Sequence, residues 1–341
     1  MGGAARDTAA TEATASAMPP RAQSRRFAAI DIGTVTCRLL IADVDAVGLH
    51  ELHRGYAVTN LGEGVALTGV LLPAAMARVD AQVARFMEVV ASFTTPEHPQ
   101  IEVIAQATSA SRDARNSGEF VALLAARGID LGVIAGAREA TLCFGGVARD
   151  FAEESLVVVD IGGGSTEVIA GVAGCDPAFV RSLNVGCRRV TDRFLPSDPP
   201  TSEELQAAHT WIAGEMQDTF ARVRALGLSA PRLVAVAGTA TSVVAIEKSL
   251  DPYDSARVHK AFVPREVLDR ISDCLIALPL TQRQNVIGLD PNRASVMVAG
   301  LLILQAVLDG TGQDGFTVSE SDILQGIILE AAQAAFSVEL S

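Results

Sequence analysis

Two apolar runs, Phe27–Ile32 and Cys37–Val44, flank a glycine-containing turn, the pattern of a β-hairpin. Asn60-Leu-Gly-Glu-Gly64 has loop composition. From Pro73 to Phe93, Met76, Val79, Val83, Phe86 and Val90 recur every three or four residues, which makes one face of a helix apolar. Pro73 suits its first turn. Apolar runs at Ile101–Gln106 and Leu131–Ile134 predict strands with a helix over Ser117–Arg127 between them, and Ala137–Asp150 predicts another helix. Leu156–Asp160 and Glu167–Val172 are two more strand-like runs about a tight glycine turn. The capping box Thr201-Ser-Glu-Glu204 opens a helix reaching about Ala225. A strand at Arg232–Ala237 and helices over Thr241–Lys248, Arg265–Ala277, Asn292–Asp309 and Asp322–Phe336 complete the pattern. Strands alternating with helices point to an α/β protein.

One unit recurs. Ala29-Ile-Asp-Ile-Gly-Thr34 and Val159-Asp-Ile-Gly-Gly-Gly-Ser-Thr166 share Asp-Ile-Gly, with Asp31 and Asp160 separated by 129 residues and each turn set between two apolar runs. Two domains built from one unit, facing each other across a cleft, would produce this echo. A chain of 341 residues is long enough for two cores. The expected division is a disordered tail at 1–25, an N-terminal domain at 26–149, a C-terminal domain at 150–320 and a terminal helix at 321–341. A return of that helix onto the N-terminal domain is one option.

Composition narrows the function classes. A hydrophobic share of 49% excludes wholesale disorder, and a net charge of −13 argues against a nucleic-acid surface. An evenly spread −13 would also repel a polyanion, so an anion site needs donors concentrated locally. The five cysteines form no C-x-x-C pair and the five histidines are scattered, which leaves neither a disulfide framework nor a zinc site. Neither a signal peptide nor a membrane span of about 18 apolar residues is present, so a cytoplasmic protein without a membrane partner is expected. A homodimer through apolar surface on the last helices is an option at most.

Gly162, Gly163 and Gly164 leave backbone N–H groups open to an anion, since no Cβ stands in the way, and Ser165 and Thr166 add hydroxyls. A plain tight turn explains the glycines equally well. A dinucleotide fingerprint would need a helix directly after them, whereas Val168–Val172 is strand-like, and neither turn carries the Gly-Lys-Ser/Thr of a P-loop. A phosphate cradle on a hairpin, used twice, fits the actin-like phosphate-handling fold. Asp31 and Asp160 end buried strands, where a carboxylate needs a cation or donors; Mg²⁺ is one partner and turn capping the alternative. Glu167 could join the same metal shell or order a water. In Ala107–Asn116, Arg112 could grip a phosphate with its planar fork or simply sit on a surface helix. Glu139 lies early in a helix, where a glutamate ordinarily only favours the helix dipole. Trp211 is expected in the core, and His259 either against the cleft wall or against substrate.

Five segments together resemble the Ppx/GppA phosphatases, which comprise exopolyphosphatases and guanosine pentaphosphate phosphohydrolases. They are Ile30–Leu39, Ala107–Asn116, Gly136–Leu142, Asp160–Glu167 and Ala237–Thr241, with weaker echoes in Arg257–His259 and Asp290–Arg293. The resemblance implies the acetate and sugar kinase, Hsp70 and actin fold, with two similar domains around a central cleft. It assigns the water-activating glutamate to Glu139 and the phosphate-gripping arginine to Arg112. It places phosphate-binding loops at Asp31, Gly33 and Thr34, at Gly162, Gly163, Gly164 and Ser165, and at Gly238 and Thr239. It places a shell for Mg²⁺ (or Mn²⁺) at Asp160 and Glu167. The implied reaction is release of terminal orthophosphate from inorganic polyphosphate. Short chains are expected because the sequence ends soon after the two-domain core, where longer family members carry further C-terminal domains. Guanosine pentaphosphate (pppGpp) is the alternative substrate; a non-catalytic polyphosphate or nucleotide sensor, or a kinase, are alternatives of other classes. Two departures stand out. Thr34-Val-Thr36 replaces the common Ser-Asn-Ser, which puts some first-loop contacts in doubt, and Gln325 replaces a frequent arginine, which removes a possible anion contact.

Overall fold

A computed structural model describes residues 24–339. The expected tail lies, up to residue 23, outside the described residues, and Arg25 already opens the first strand. The first lobe carries β1 (Arg25–Ile32), β2 (Thr36–Val44), β3 (Leu49–Val58), β4 (Glu102–Ala107) and β5 (Leu131–Val133) in the order β3-β2-β1-β4-β5. The second carries β6 (Ser155–Ile161), β7 (Thr166–Val172), β8 (Phe179–Leu183), β9 (Arg232–Val236), β10 (Phe262–Pro264) and β11 (Gly315–Val318) in the order β10-β11-β9-β6-β7-β8. Apart from the antiparallel edge strand β10, the second sheet repeats the first. Each has a three-strand antiparallel meander, then two strands added parallel to its first. The echo of two Asp-Ile-Gly turns is thus an echo of topology.

The central strands β1 and β6 are buried over nearly their whole length because helices cover both sheet faces. The helix Pro73–Ser92 lays Met76, Val79, Val83, Phe86 and Val90 on the outer face of the first sheet. Helices Gly136–Ala148 and Ile323–Glu339 lie between the sheets, in one apolar cluster with Phe27 and Leu40 of the first lobe and Val158, Ile169 and Val234 of the second. The terminal helix packs on helix Gly136–Ala148 and on β1 and β2. The two helices cross backbone to backbone: a methyl at Gly326 would lie 1.9 Å from the Leu142 carbonyl oxygen, and one at Gly146 equally close to that of Asp322. The largest core belongs to the second lobe. It surrounds helix Ala294–Thr311, which is long and apolar enough to cross a membrane but is 72% buried among its neighbours.

Four strands, helix Cys187–Phe194 and the one-turn helices Val65–Thr68, Ser255–Val258 and Leu280–Arg283 escape the periodicity. β3 is a mostly polar edge strand, β8, β10 and β11 are short, and helix Cys187–Phe194 buries only Cys187 and Val190. The strand expected to reach Ala237 ends at Val236, and the helix expected from Thr241 begins at Ala237, whose φ of 65° marks a sharp strand-to-helix corner.

Candidate active site

Both hairpins turn the same way. Gly33 N–H donates to the Thr36 carbonyl (2.8 Å) and Gly162 N–H to that of Ser165 (3.0 Å). The two turns meet at one wall of a cleft of about 760 Å³ between the lobes. They touch: a methyl at Gly163 would sit 2.6 Å from Val35 Cγ2, and Val35 is buried in the core of the second lobe. The absent amide donor at position 35 is therefore replaced by an apolar junction between the lobes. Gln325 is wholly buried; its amide donates to Glu51 (2.6 Å) and its carbonyl accepts from Asp322 N–H (2.8 Å).

Hairpin register sets the charges. Asp31 pairs across β1–β2 with Arg38, and at the same two positions Asp160 pairs across β6–β7 with Glu167. Arg38 donates to Asp31 at 2.6 and 3.0 Å and also bonds Asp322, whose carboxylate caps Leu324 N–H at the start of the terminal helix. Burial pushes the Asp160 carboxyl up to about 7 despite Arg38, with the charges of Asp322 and Asp31 adding to the rise. Burial, then the Asp160 charge, pushes Glu167 up to about 8 against a 2.6 Å hydrogen bond from Ser182. The other Glu167 oxygen has no partner within the protein.

Glu139 occupies the first turn of helix Gly136–Ala148, is 8% exposed and lines the cleft. Burial and the charges of Glu167, Asp160 and Asp31 raise its carboxyl well above the usual range, and Arg112 opposes them. Arg112, on the short helix after β4, donates to Glu139 Oε2 (3.2 Å) and to the Ile134 carbonyl (2.9 Å). One turn beyond Glu139, the Cys143 thiol is buried, and burial with the charges of Asp160, Asp322 and Glu167 pushes it well up.

All but three of the sequence-predicted residues stand in the cleft wall. Arg112 and Glu167 stand one residue behind it, against Glu139 and Asp160. Thr239 points elsewhere, because it packs against Gly300 of the long apolar helix; Thr241 and Ser242 take the wall instead. Gly238 is in the wall, covered by the Arg293 guanidinium. His259 stands off in a side pocket, where its Nδ1 accepts from Glu320 N–H, and Trp211 stacks with Phe194 at the edge of the second core. The sequence reading assigned no role to Arg38 or Asp322. Arg38 could have been found from the hairpin register, whereas Asp322 is 284 residues away from it and left no local signal.

The model of the Ppx/GppA phosphatase family matches residues 40–335. The chain is 36% identical to exopolyphosphatase 2 of Mycobacterium tuberculosis, over 90% of this chain and 98% of that one. Among solved structures, an exopolyphosphatase from Cytophaga hutchinsonii superposes with a TM-score of 0.80 at 25% identity, covering 91% of this chain and 98% of that one. The Aquifex aeolicus member of the Ppx/GppA family superposes with a TM-score of 0.74 at 27% identity, covering 92% and 99%. The two repeated lobes are those of the actin-like fold. Matched along nearly its whole length, the chain belongs to the Ppx/GppA phosphatase family and is a phosphoanhydride hydrolase.

Proposed function

We propose that the protein releases the terminal orthophosphate of short inorganic polyphosphate by attack of a water that Glu139 activates. The observation carrying this reading is the position of Glu139: buried in the cleft wall that holds both Asp-Ile-Gly turns, and paired with one arginine. A carboxylate pushed up by burial and acidic neighbours is a stronger base than one in water. Glu139 takes the proton of the attacking water, the new P–O bond forms in line with the phosphoanhydride, and the shortened chain leaves with the bridging oxygen. Gly163 and Gly164 offer backbone donors to the terminal phosphoryl group, while the Gly33 and Gly162 N–H groups close the two turns, and Arg112 orients Glu139 and stabilises charge on the equatorial oxygens.

The donor set suits a divalent cation. Asp160 and Glu167 are buried side by side, and both are raised towards neutrality when left to protein cations alone. Among the described residues no group of three His, Cys, Asp or Glu side chains forms a shell by itself. Two carboxylates completed by water and phosphate oxygens is the coordination that Mg²⁺ (or Mn²⁺) favours. Bound there, the ion supplies Lewis-acid charge stabilisation to the phosphate.

Guanosine pentaphosphate is the second reading. Tyr56 and Tyr253 are half-exposed along the same cleft, and Arg293 lies 5.7 Å over the Tyr56 ring, surfaces on which a base could stack. The acidic surface favours a local grip on a chain end over a long basic channel, hence short substrates. Both substrates suit the expected cytoplasmic location. Orthophosphate release from tripolyphosphate and from guanosine pentaphosphate, at equal concentration with Mg²⁺, separates the readings. Faster release from tripolyphosphate is expected. Faster release from the nucleotide would favour the second reading, and release from neither would leave only a sensor.

A further inference from the structure

We propose that Ser109 is a further phosphate-binding residue, its hydroxyl donating to a non-bridging oxygen of the terminal phosphoryl group. The inference rests on the hydrolase reading for the identity of its ligand and on its own geometry for everything else.

Ser109 is the first residue of the helix Ser109–Asp113, which follows β4, and it is only 2% exposed. Its Oγ is buried and has no hydrogen-bond partner within the protein. Most other buried polar atoms left without a partner lie away from the cleft, for example those of Thr219 and Ser272 in the second lobe, whereas Ser109 is in the cleft wall. It stands at the meeting point of the two turns. A methyl added at Gly164 would lie 2.4 Å from Ser109 Oγ and 2.8 Å from Thr34 Oγ1, so two hydroxyls from the first lobe pack against the glycine turn of the second as closely as only a glycine allows. Arg112 follows three residues later and reaches Glu139, so one short helix carries both the hydroxyl and the arginine.

A buried hydroxyl without a partner is unfavourable, and selection for stability alone would replace it with alanine. At a junction of two glycine-bearing turns it has a use, because a phosphate oxygen entering there accepts the hydrogen bond that no protein group takes. The ligand is the phosphoanhydride-linked end of a chain, a chemistry shared by inorganic polyphosphate and a nucleoside polyphosphate.

Calorimetric titration of the full chain with Mg²⁺ and two hydrolysis-resistant probes, a bismethylene triphosphonate and β,γ-methylene guanosine 5′-triphosphate, tests this. Ser109→Ala should bind whichever probe the wild type binds about tenfold more weakly, the size expected for a hydrogen bond to a charged oxygen. The Tm of the free variant should stay the same or rise. A Kd changed by less than about twofold, or a wild type that binds neither probe, would overturn the proposal. A lowered Tm with an unchanged Kd would also overturn it, by making the hydroxyl structural. Which probe the wild type binds distinguishes the polyphosphate source from the nucleotide one. A wild type that binds a probe but releases orthophosphate from neither tripolyphosphate nor guanosine pentaphosphate would overturn the hydrolase reading instead, and the same two Kd values would still decide the role of Ser109.

Discussion

At two equivalent positions the hairpins carry opposite chemistry: Asp31 faces Arg38, and Asp160 faces Glu167. The first pair is a neutral, doubly bonded ion pair, while the second is two buried acids whose repulsion a cation would relieve. This has a measurable sign. A carboxyl raised on folding from about 4 to about 7 or 8 holds its proton more tightly in the folded chain, so its stabilising contribution is full below the unfolded range and is lost as pH rises through the folded value. Mg²⁺ held by this pair would compete with those protons and bind the ionised form. The increase in Tm on adding Mg²⁺ should therefore be small near about pH 6 and larger near about pH 8.5, and Asp160→Asn should remove most of the difference. Equal increments at the two pH values, measured by calorimetry, would contradict a cation at this pair. The acidic pair could be foreseen from the sequence because Asp160 and Glu167 are seven residues apart on one hairpin. The buried Cys143 thiol near that pair could not, since its place depends on how a helix is laid against a strand.

Helix Gly136–Ala148 positions Glu139, and its crossing with helix Ile323–Glu339 holds it in place. The crossing allows no side chain at Gly326, where an added methyl would meet the Leu142 carbonyl oxygen at 1.9 Å. Gly326→Ala should force the helices apart, destabilise the fold by about 3 kcal/mol and lower turnover. Gly145→Ala, one residue from the crossing but with open space around its Cβ, should be neutral or stabilise by about 0.5–1 kcal/mol through helix propensity. Urea denaturation of the two variants checks the contrast; equal stabilities would contradict the close crossing. Periodicity found both helices because each has an apolar stripe, and the paired turns because Asp-Ile-Gly recurs. It missed β3, whose edge position leaves its residues mostly polar and partly exposed, and helix Cys187–Phe194, whose arginines Arg188 and Arg189 serve other elements, at Asn60 and at Asp113 and the Gly164 carbonyl. β3 has no pattern of its own because it is specified by what it docks against. The helix has Cys187, Val190 and Phe194 on one face but spans only eight residues, too short a run to stand out.

For the whole molecule, Val35 joins the lobes. Its side chain belongs to the core of the second lobe, while its carbonyl accepts from Thr59 and Asn60 N–H at 2.9 Å in the first. Val35→Asn should leave an amide without partners at this junction and cost about 1–3 kcal/mol of stability, read as a lower urea midpoint; an unchanged midpoint would contradict the apolar junction. Bringing the lobes together in this way concentrates Arg38 and Arg112 at the carboxylates of one cleft, so an acidic chain of net charge −13 can still hold a phosphate end. In that cleft Glu139 is the group proposed to activate water. Orthophosphate release from tripolyphosphate with Mg²⁺, by wild type and by Glu139→Gln, tests that role most directly. The variant should keep the wild-type Tm while its turnover falls roughly 10²- to 10⁴-fold. A folded variant that keeps near wild-type turnover would contradict it.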